Sequence, residues 1–395
     1  MNTAPPLTSL PKRERLPAID ILRGAVMAVM ALDHVRDYFT RDRINWMDPS
    51  ETRPELLLTR WFAQYCAPAF FLLAGMGAYL SMSGGRSKRS LAAFLFKRGL
   101  VLVLLDLTFV RIAWDFNFQY EGGPWFIVLT AIGMSMMALA GLIFLPIPVI
   151  AGFSIAMIAG HNVFDGVTAE ELGRWEPLWT LLHVRSSSEL FGIPFYVTYP
   201  LIPWIAVMSL GFALGTVWSK EGPRRRRQFC MIGLACVLTF CVLRGFNLYG
   251  DPRPWRPNPD NPVSFLAFLR TKKYPASFQH ILMTVGPLLL LLALLDRIKS
   301  PNAIGRWFIQ FGRAPLFFYI LHLYVIHSLA VLTGWLQGYN PRDFLVLYTR
   351  LPESYGFSLP MLYVWWVLVL VICYPICVWF DGVKRRSKAA WMTYL

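Results

Sequence analysis

The stretch 18–39, AIDILRGAVMAVMALDHVRDYF, is apolar and long enough to cross a bilayer, yet it carries Asp20, Arg23, Asp33, His34, Arg36 and Asp37. Ionisable side chains close to hydrocarbon are costly and mark functional sites by default. Arg23 and His34 are eleven positions apart, which on a helix leaves them within about 20° of each other and roughly 16 Å apart along the axis. Met27 and Met30 lie along the same stripe. One helix face therefore presents a cation towards one membrane surface and an imidazole towards the other. Histidine is the usual general base near neutral pH, able to take a proton from an incoming hydroxyl or amine. The plainer alternative makes Asp20 and Arg23 a local i,i+3 pair at the headgroups and Asp33 to Asp37 an ordinary polar helix end.

Asp33 adjoins His34 and is the nearest carboxylate that could orient its ring. Neighbouring residues point about 100° apart on a helix, so that contact needs an irregular helix end, and an aspartate from another segment would serve equally. Other polar groups at depth accompany the base. Asp106 lies inside the third apolar segment, Arg111 and Asp115 at its outer end, and His161 and Asn162 at the end of the fifth. Arg244 and Asn247 close the seventh, while Arg313, Tyr319 and His322 lie along the ninth. Arg313 equally suits a cytoplasmic anchor, and His183, His280 and His327 suit hydrogen-bonded packing.

The elements that must position these groups are membrane helices. With 56% hydrophobic and 15% charged residues, and repeated apolar runs near twenty residues, the chain reads as all-α: a polytopic helical bundle rather than a soluble domain. About ten spans are expected, at 17–39, 57–82, 90–112, 124–145, 147–162, 195–218, 228–246, 277–296, 311–335 and 358–381. The fifth is short and follows LPIP, so a re-entrant element is the alternative there. Basic residues cluster in alternate connections, at 12–15, 84–90, 220–227, 296–306 and 382–388. The positive-inside rule makes that side, with both termini, cytoplasmic. The division expected is a cytoplasmic tail 1–16, a membrane domain 17–382 and a basic cytoplasmic tail 383–395, with the first span retained as a signal anchor.

The opposite side has longer connections rich in Trp, Tyr, Asn, Asp and Pro, including the proline-dense 250–262. The net charge of +15 is topology information here and implies no nucleic-acid partner. The six cysteines lie in apolar runs without metal-ligand spacing, so no metal is expected. Phosphate-binding glycine loops, a nucleophile elbow and a zincin helix are missing in any credible context, which disfavours hydride transfer, ATP-driven transport and serine or zinc hydrolysis.

The ordered set IDILRG, DHVRDYF and TRWFAQYCAPAFFLLAG, followed by RIAWDFNF, MIAGHNVFDG, YPLIPW, RGFNLYGDPRPW, TKKYPASF and GRAPLFFYILHLYVIH, resembles bacterial proteins related to heparan-α-glucosaminide N-acetyltransferase. These belong to the broader group of transmembrane acyltransferases, and the resemblance runs from Arg15 to Leu395. It implies transfer of an acetyl or longer acyl group from cytoplasmic acetyl-CoA to an extracytoplasmic acceptor in a bacterial inner membrane. Arg23, Arg313 and His322 would then meet the donor, and Arg111, Asp115, Asn162, Arg244 and Asn247 the acceptor. In the eukaryotic lysosomal enzyme the histidine held to be catalytic lies in the outside loop after the first helix. Residues 40–55 here contain no histidine. The role passes to His34, with Asp33 as its partner and His161 as second candidate. The acceptor implied is an envelope glycan or another small hydroxyl or amine compound, with membrane lipids around the protein and a homodimer as candidate assembly. A transporter of a small polar or amphipathic solute is the competing reading.

Overall fold

The computed structural model describes residues 16–48, 52–119, 122–256, 263–387 and 389–394. The basic run 12–15, most of the 1–16 tail and the proline-dense 257–262 lie outside the described residues. The helices, in chain order, are α1 (Pro17–Phe39), α2 (Pro54–Phe62), α3 (Cys66–Ser83), α4 (Lys88–Leu105), α5 (Arg111–Asp115), α6 (Val128–Leu142), α7 (Ile147–Gly160), α8 (Glu176–Leu182), α9 (Leu201–Leu214), α10 (Gly222–Gly245), α11 (Val263–Leu266), α12 (Phe278–Leu295), α13 (Ala303–Arg313), α14 (Pro315–Leu336) and α15 (Leu359–Arg386). A π-helical turn, Asp106–Val110, joins α4 to α5.

Local chemistry sets many of these boundaries. Proline stands in the first turn of α1, α2, α7, α10, α14 and α15, where its missing N–H costs nothing. The side chains of Ser87, Ser277 and Asn302 accept from backbone N–H groups in the first turns of α4, α12 and α13.

Helices are found at each of the ten expected segments. Among the described residues, seven stretches are long and apolar enough to cross a membrane: 54–83, 147–164, 201–219, 222–245, 278–295, 315–336 and 359–386. Helix α1 and the α4–α5 run are long but carry more charge, and α6 is apolar but short.

Two expectations change in detail. The segment 311–335 is broken at Ala314, where Pro315 opens α14 and leaves Arg313 at the end of a separate amphipathic helix, α13. The segment 195–218 starts as a strand, because residues 187–197 fold back on themselves before Leu201. The three strands β1 (Trp125–Phe126), β2 (Ser187–Leu190) and β3 (Ile193–Val197) form a small sheet in the order β1-β3-β2, with β1 parallel and β2 antiparallel to β3. It ties the expected outer loop 163–194 to the residues preceding α6.

Helix α1 is the hub. Fourteen of its 23 residues are buried, and it packs against α3, α12, α13, α14 and α15. The closest approach is to α13. A Cβ on Gly24 would meet the Phe308 carbonyl well inside contact distance, and one on Gly312 would meet that of Asp20. Such reciprocal small-residue crossings are how membrane helices gain packing where no hydrophobic drive is left between them.

Candidate active site

Near the C-terminal end of α1, Asp33 does not face the His34 ring. Its carboxylate is taken by Arg60 of α2 and by Arg36 one turn on, at 3.1 Å. Arg36 also reaches Asp37 at 2.5 Å and lies over the Trp46 ring. These four charges neutralise one another, so the expected Asp33–His34 partnership is replaced.

His34 turns towards α14. Its Nδ1 is 2.7 Å from Nε2 of His322. The ring centroids are 5.0 Å apart and the planes 14° from parallel, so the two imidazoles meet edge to edge. His322 Nδ1 is in turn 2.8 Å from the Phe318 carbonyl oxygen. Trp114 and Tyr319 present ring edges to His34 at 5.0 and 6.3 Å. His322 is fully buried, whereas His34 keeps some exposure. His322, grouped from sequence with the donor-facing cations, therefore stands beside the candidate base.

Beside the His34 site lies a cavity of about 390 Å³. Its lining includes five cations, Arg23, Arg86, Arg98, Arg313 and Lys384, drawn from α1, the α3–α4 turn, α4, α13 and α15. Its walls are apolar, with Met27, Phe70, Leu73, Leu102, Ile132 and Met136, and α3 gives it room by presenting Ala74, Gly77, Ala78 and Ser81. Tyr319 thus touches both the cavity and the ring of His34. Arg23 bonds Asp20 and the Gly312 carbonyl, and Arg313 lies 3.8 Å from Asp381. Arg86 stacks over Phe94. Nε of Arg98 and of Arg313 is buried with no hydrogen-bond partner among the described residues. Unsatisfied buried guanidinium donors in a cation-lined cavity suit an anion such as a phosphate.

Close to Arg60, Tyr199 and Tyr274 share a hydroxyl contact of 3.2 Å. Burial alone would push the Tyr274 phenol up, but Lys273 and Arg60 more than offset it and hold it below the usual tyrosine range. Burial and the Tyr274 neighbour push Tyr199 well above that range.

The other expected residues lie apart from the His34 pair in their bonding. Arg111 and Asp115 pair with each other, and Arg111 lies over Trp125. Arg244, 2% exposed, donates to the carbonyls of Arg253, Ala267, Phe268 and Arg270 and so pins the outer loop. Asn247 makes two bonds with the Trp255 backbone. Asn162 accepts from the Phe278 N–H and donates to Asp165. His161 is buried against His183, whose Nε2 lies 2.8 Å from the His161 carbonyl. Sequence reasoning did not single out Arg60, Arg86, Arg98, Lys384, Tyr199 or Tyr274 as site residues. Arg60, Tyr199 and Tyr274 stood inside quoted motif strings, and Arg86 inside a cluster read only as topology. Among the described residues no three His, Cys, Asp or Glu side chains converge as metal ligands.

Residues 15–245 match the family described as heparan-alpha-glucosaminide N-acetyltransferase, catalytic. The chain belongs to that family. The match spans more than half of the chain and ends at the last residue of α10, so it holds His34, Arg60 and the α3–α4 wall of the cavity, while His322 and Arg313 lie beyond it. No curated protein shows a significant match to the chain. For this N-acetyltransferase family member, membership implies a multi-pass membrane acetyltransferase. The helices on both sides of residue 245 pack on α1, so the catalytic-family region and the remainder share one bundle.

Proposed function

We propose that the protein transfers an acetyl or longer acyl group from cytoplasmic acyl-CoA to an extracytoplasmic sugar or envelope-glycan amine or hydroxyl, with His34 as general base. The observation that carries this reading is a cavity lined by five cations and by Tyr319, whose ring lies beside His34. Arg86, Arg98, Arg313, Arg23 and Lys384 would hold the phosphates, and the apolar walls the thioester arm. The bound donor supplies an activated thioester carbonyl. His34 takes the proton from the acceptor heteroatom as the new bond to that carbonyl carbon forms, then returns it to the departing thiolate as the carbon–sulfur bond breaks. The Tyr274 and Tyr199 hydroxyls, with Arg60, are the donors suited to an incoming polar acceptor.

The reading includes ten spans, adding α1, the α4–α5 run and α6 to the seven apolar stretches, with both termini in the cytoplasm of a bacterial inner membrane. The family match and the cation-lined cavity favour catalysis over solute transport. Purified protein with radiolabelled acetyl-CoA and glucosamine as probe acceptor tests the reading. His34→Ala should keep its fold and acetyl-CoA binding and lose transfer by on the order of 10²- to 10⁴-fold. Unchanged transfer in that variant would remove His34 as the base, and CoA-independent uptake by proteoliposomes would favour the transport reading.

A further inference from the structure

We infer that His322 is a positioning residue that sets which nitrogen of His34 carries the proton, an inference that rests on the acyltransfer reading for its catalytic consequence. The chain of assignment starts at a group with no choice. The Phe318 carbonyl oxygen can only accept, so His322 Nδ1, 2.8 Å away, carries a hydrogen and donates it. A neutral imidazole holds one N–H, and His322 Nε2 is therefore a lone pair. That lone pair lies 2.7 Å from His34 Nδ1, so His34 Nδ1 carries the hydrogen of the shared bond. The remaining nitrogen of His34, Nε2, is left as a lone pair with no protein hydrogen bond among the described residues, which is what a base requires.

The surroundings keep this assignment from being scrambled. His322 and Phe318 are both fully buried, so water does not compete for the anchoring bond. The Phe318 and His322 rings lie 7° from parallel with centroids 5.1 Å apart, and Tyr319 meets His322 edge-on at 5.7 Å. These contacts hold the His322 ring in place. The i to i−4 bond to Phe318 uses a carbonyl of α14 itself, so the proton position is set by the helix that carries the residue.

The role parallels that of the aspartate in a Ser-His-Asp triad, which holds the base in the right tautomer, but here a neutral ring does it. When the acceptor proton moves to His34 Nε2, the acceptor heteroatom bonds to the thioester carbon. The resulting imidazolium keeps its Nδ1–H donated to His322 Nε2. When the carbon–sulfur bond breaks, the Nε2 proton passes to the thiolate and both rings return to their starting forms. His322 stays neutral throughout.

Two variants and one spectrum test this. In His322→Gln the amide oxygen still accepts from His34 Nδ1–H, so transfer from acetyl-CoA to glucosamine should stay within about tenfold of the parent. In His322→Leu no acceptor remains, and kcat should fall on the order of 10²-fold or more while KM for acetyl-CoA holds steady. Nitrogen-15 NMR of the histidine-labelled parent protein should find His34 protonated at Nδ1 and bare at Nε2, and His322→Leu should lose that preference. Full kcat in His322→Leu, an inactive His322→Gln that folds and binds acetyl-CoA normally, or a His34 spectrum protonated at Nε2 would each overturn the inference. Should the parent protein transfer no acetyl group at all, the acyltransfer reading fails, and the NMR assignment still decides the proton position by itself.

Discussion

His34 and its surroundings divide into two polar systems with different tasks. Outside it, Asp33, Arg36, Asp37 and Arg60 neutralise one another, and toward α14 the pair with His322 is held by one backbone carbonyl. Removing Arg60 leaves Asp33 with Arg36 alone, a partly buried carboxylate short of a partner. Arg60→Ala should therefore destabilise the fold by about 3–5 kcal/mol, the scale for breaking a buried ion pair, and thermal unfolding in detergent would measure it. Among the cavity cations the expected effect is on affinity. Arg98→Gln should raise KM for acetyl-CoA about tenfold, the equivalent of about 1.4 kcal/mol, and leave kcat within twofold. The sequence made His34 legible because Asp33, Arg36 and Asp37 adjoin it and Arg23 shares its helix face. Its partner was not legible, since a contact across 288 positions has no local signature, and the adjacent Asp33 was the nearer guess.

At the scale of elements, the α1–α13 crossing fixes where the inner cations stand. Gly24 and Gly312 let the two backbones touch, and Arg23 then reaches the Gly312 carbonyl at 3.1 Å. Gly24→Val forces these helices apart. It should destabilise by about 1–3 kcal/mol, read by thermal unfolding in detergent, and weaken acetyl-CoA binding, read by isothermal titration, because Arg23 and Arg313 move together. The apolar spans were readable from hydropathy alone. Helix α13 was hidden because it is amphipathic and runs directly into α14, with only the Arg313-Ala314-Pro315 break to separate them. The small sheet was hidden for a different reason: two- to five-residue strands within a long outer connection carry too few alternations to show.

For the whole molecule, the arrangement is a two-sided one: a cation-ringed cavity on one face, a charge-balanced tyrosine and arginine cluster on the other, and the histidine pair between them. That polarity requires the basic connections to be cytoplasmic. In a background with Cys230 and Cys241 replaced by serine, Ser83→Cys should react with a membrane-impermeant thiol reagent only from the inner side and Ser187→Cys only from the outer side of oriented vesicles. The most direct test of the account is an experimental structure with acetyl-CoA bound. The account predicts phosphates against Arg86, Arg98 and Arg313 and the thioester carbonyl beside Tyr319 on the His34 side. A donor seated on the outer face, or one whose acetyl group points away from His34, would contradict it.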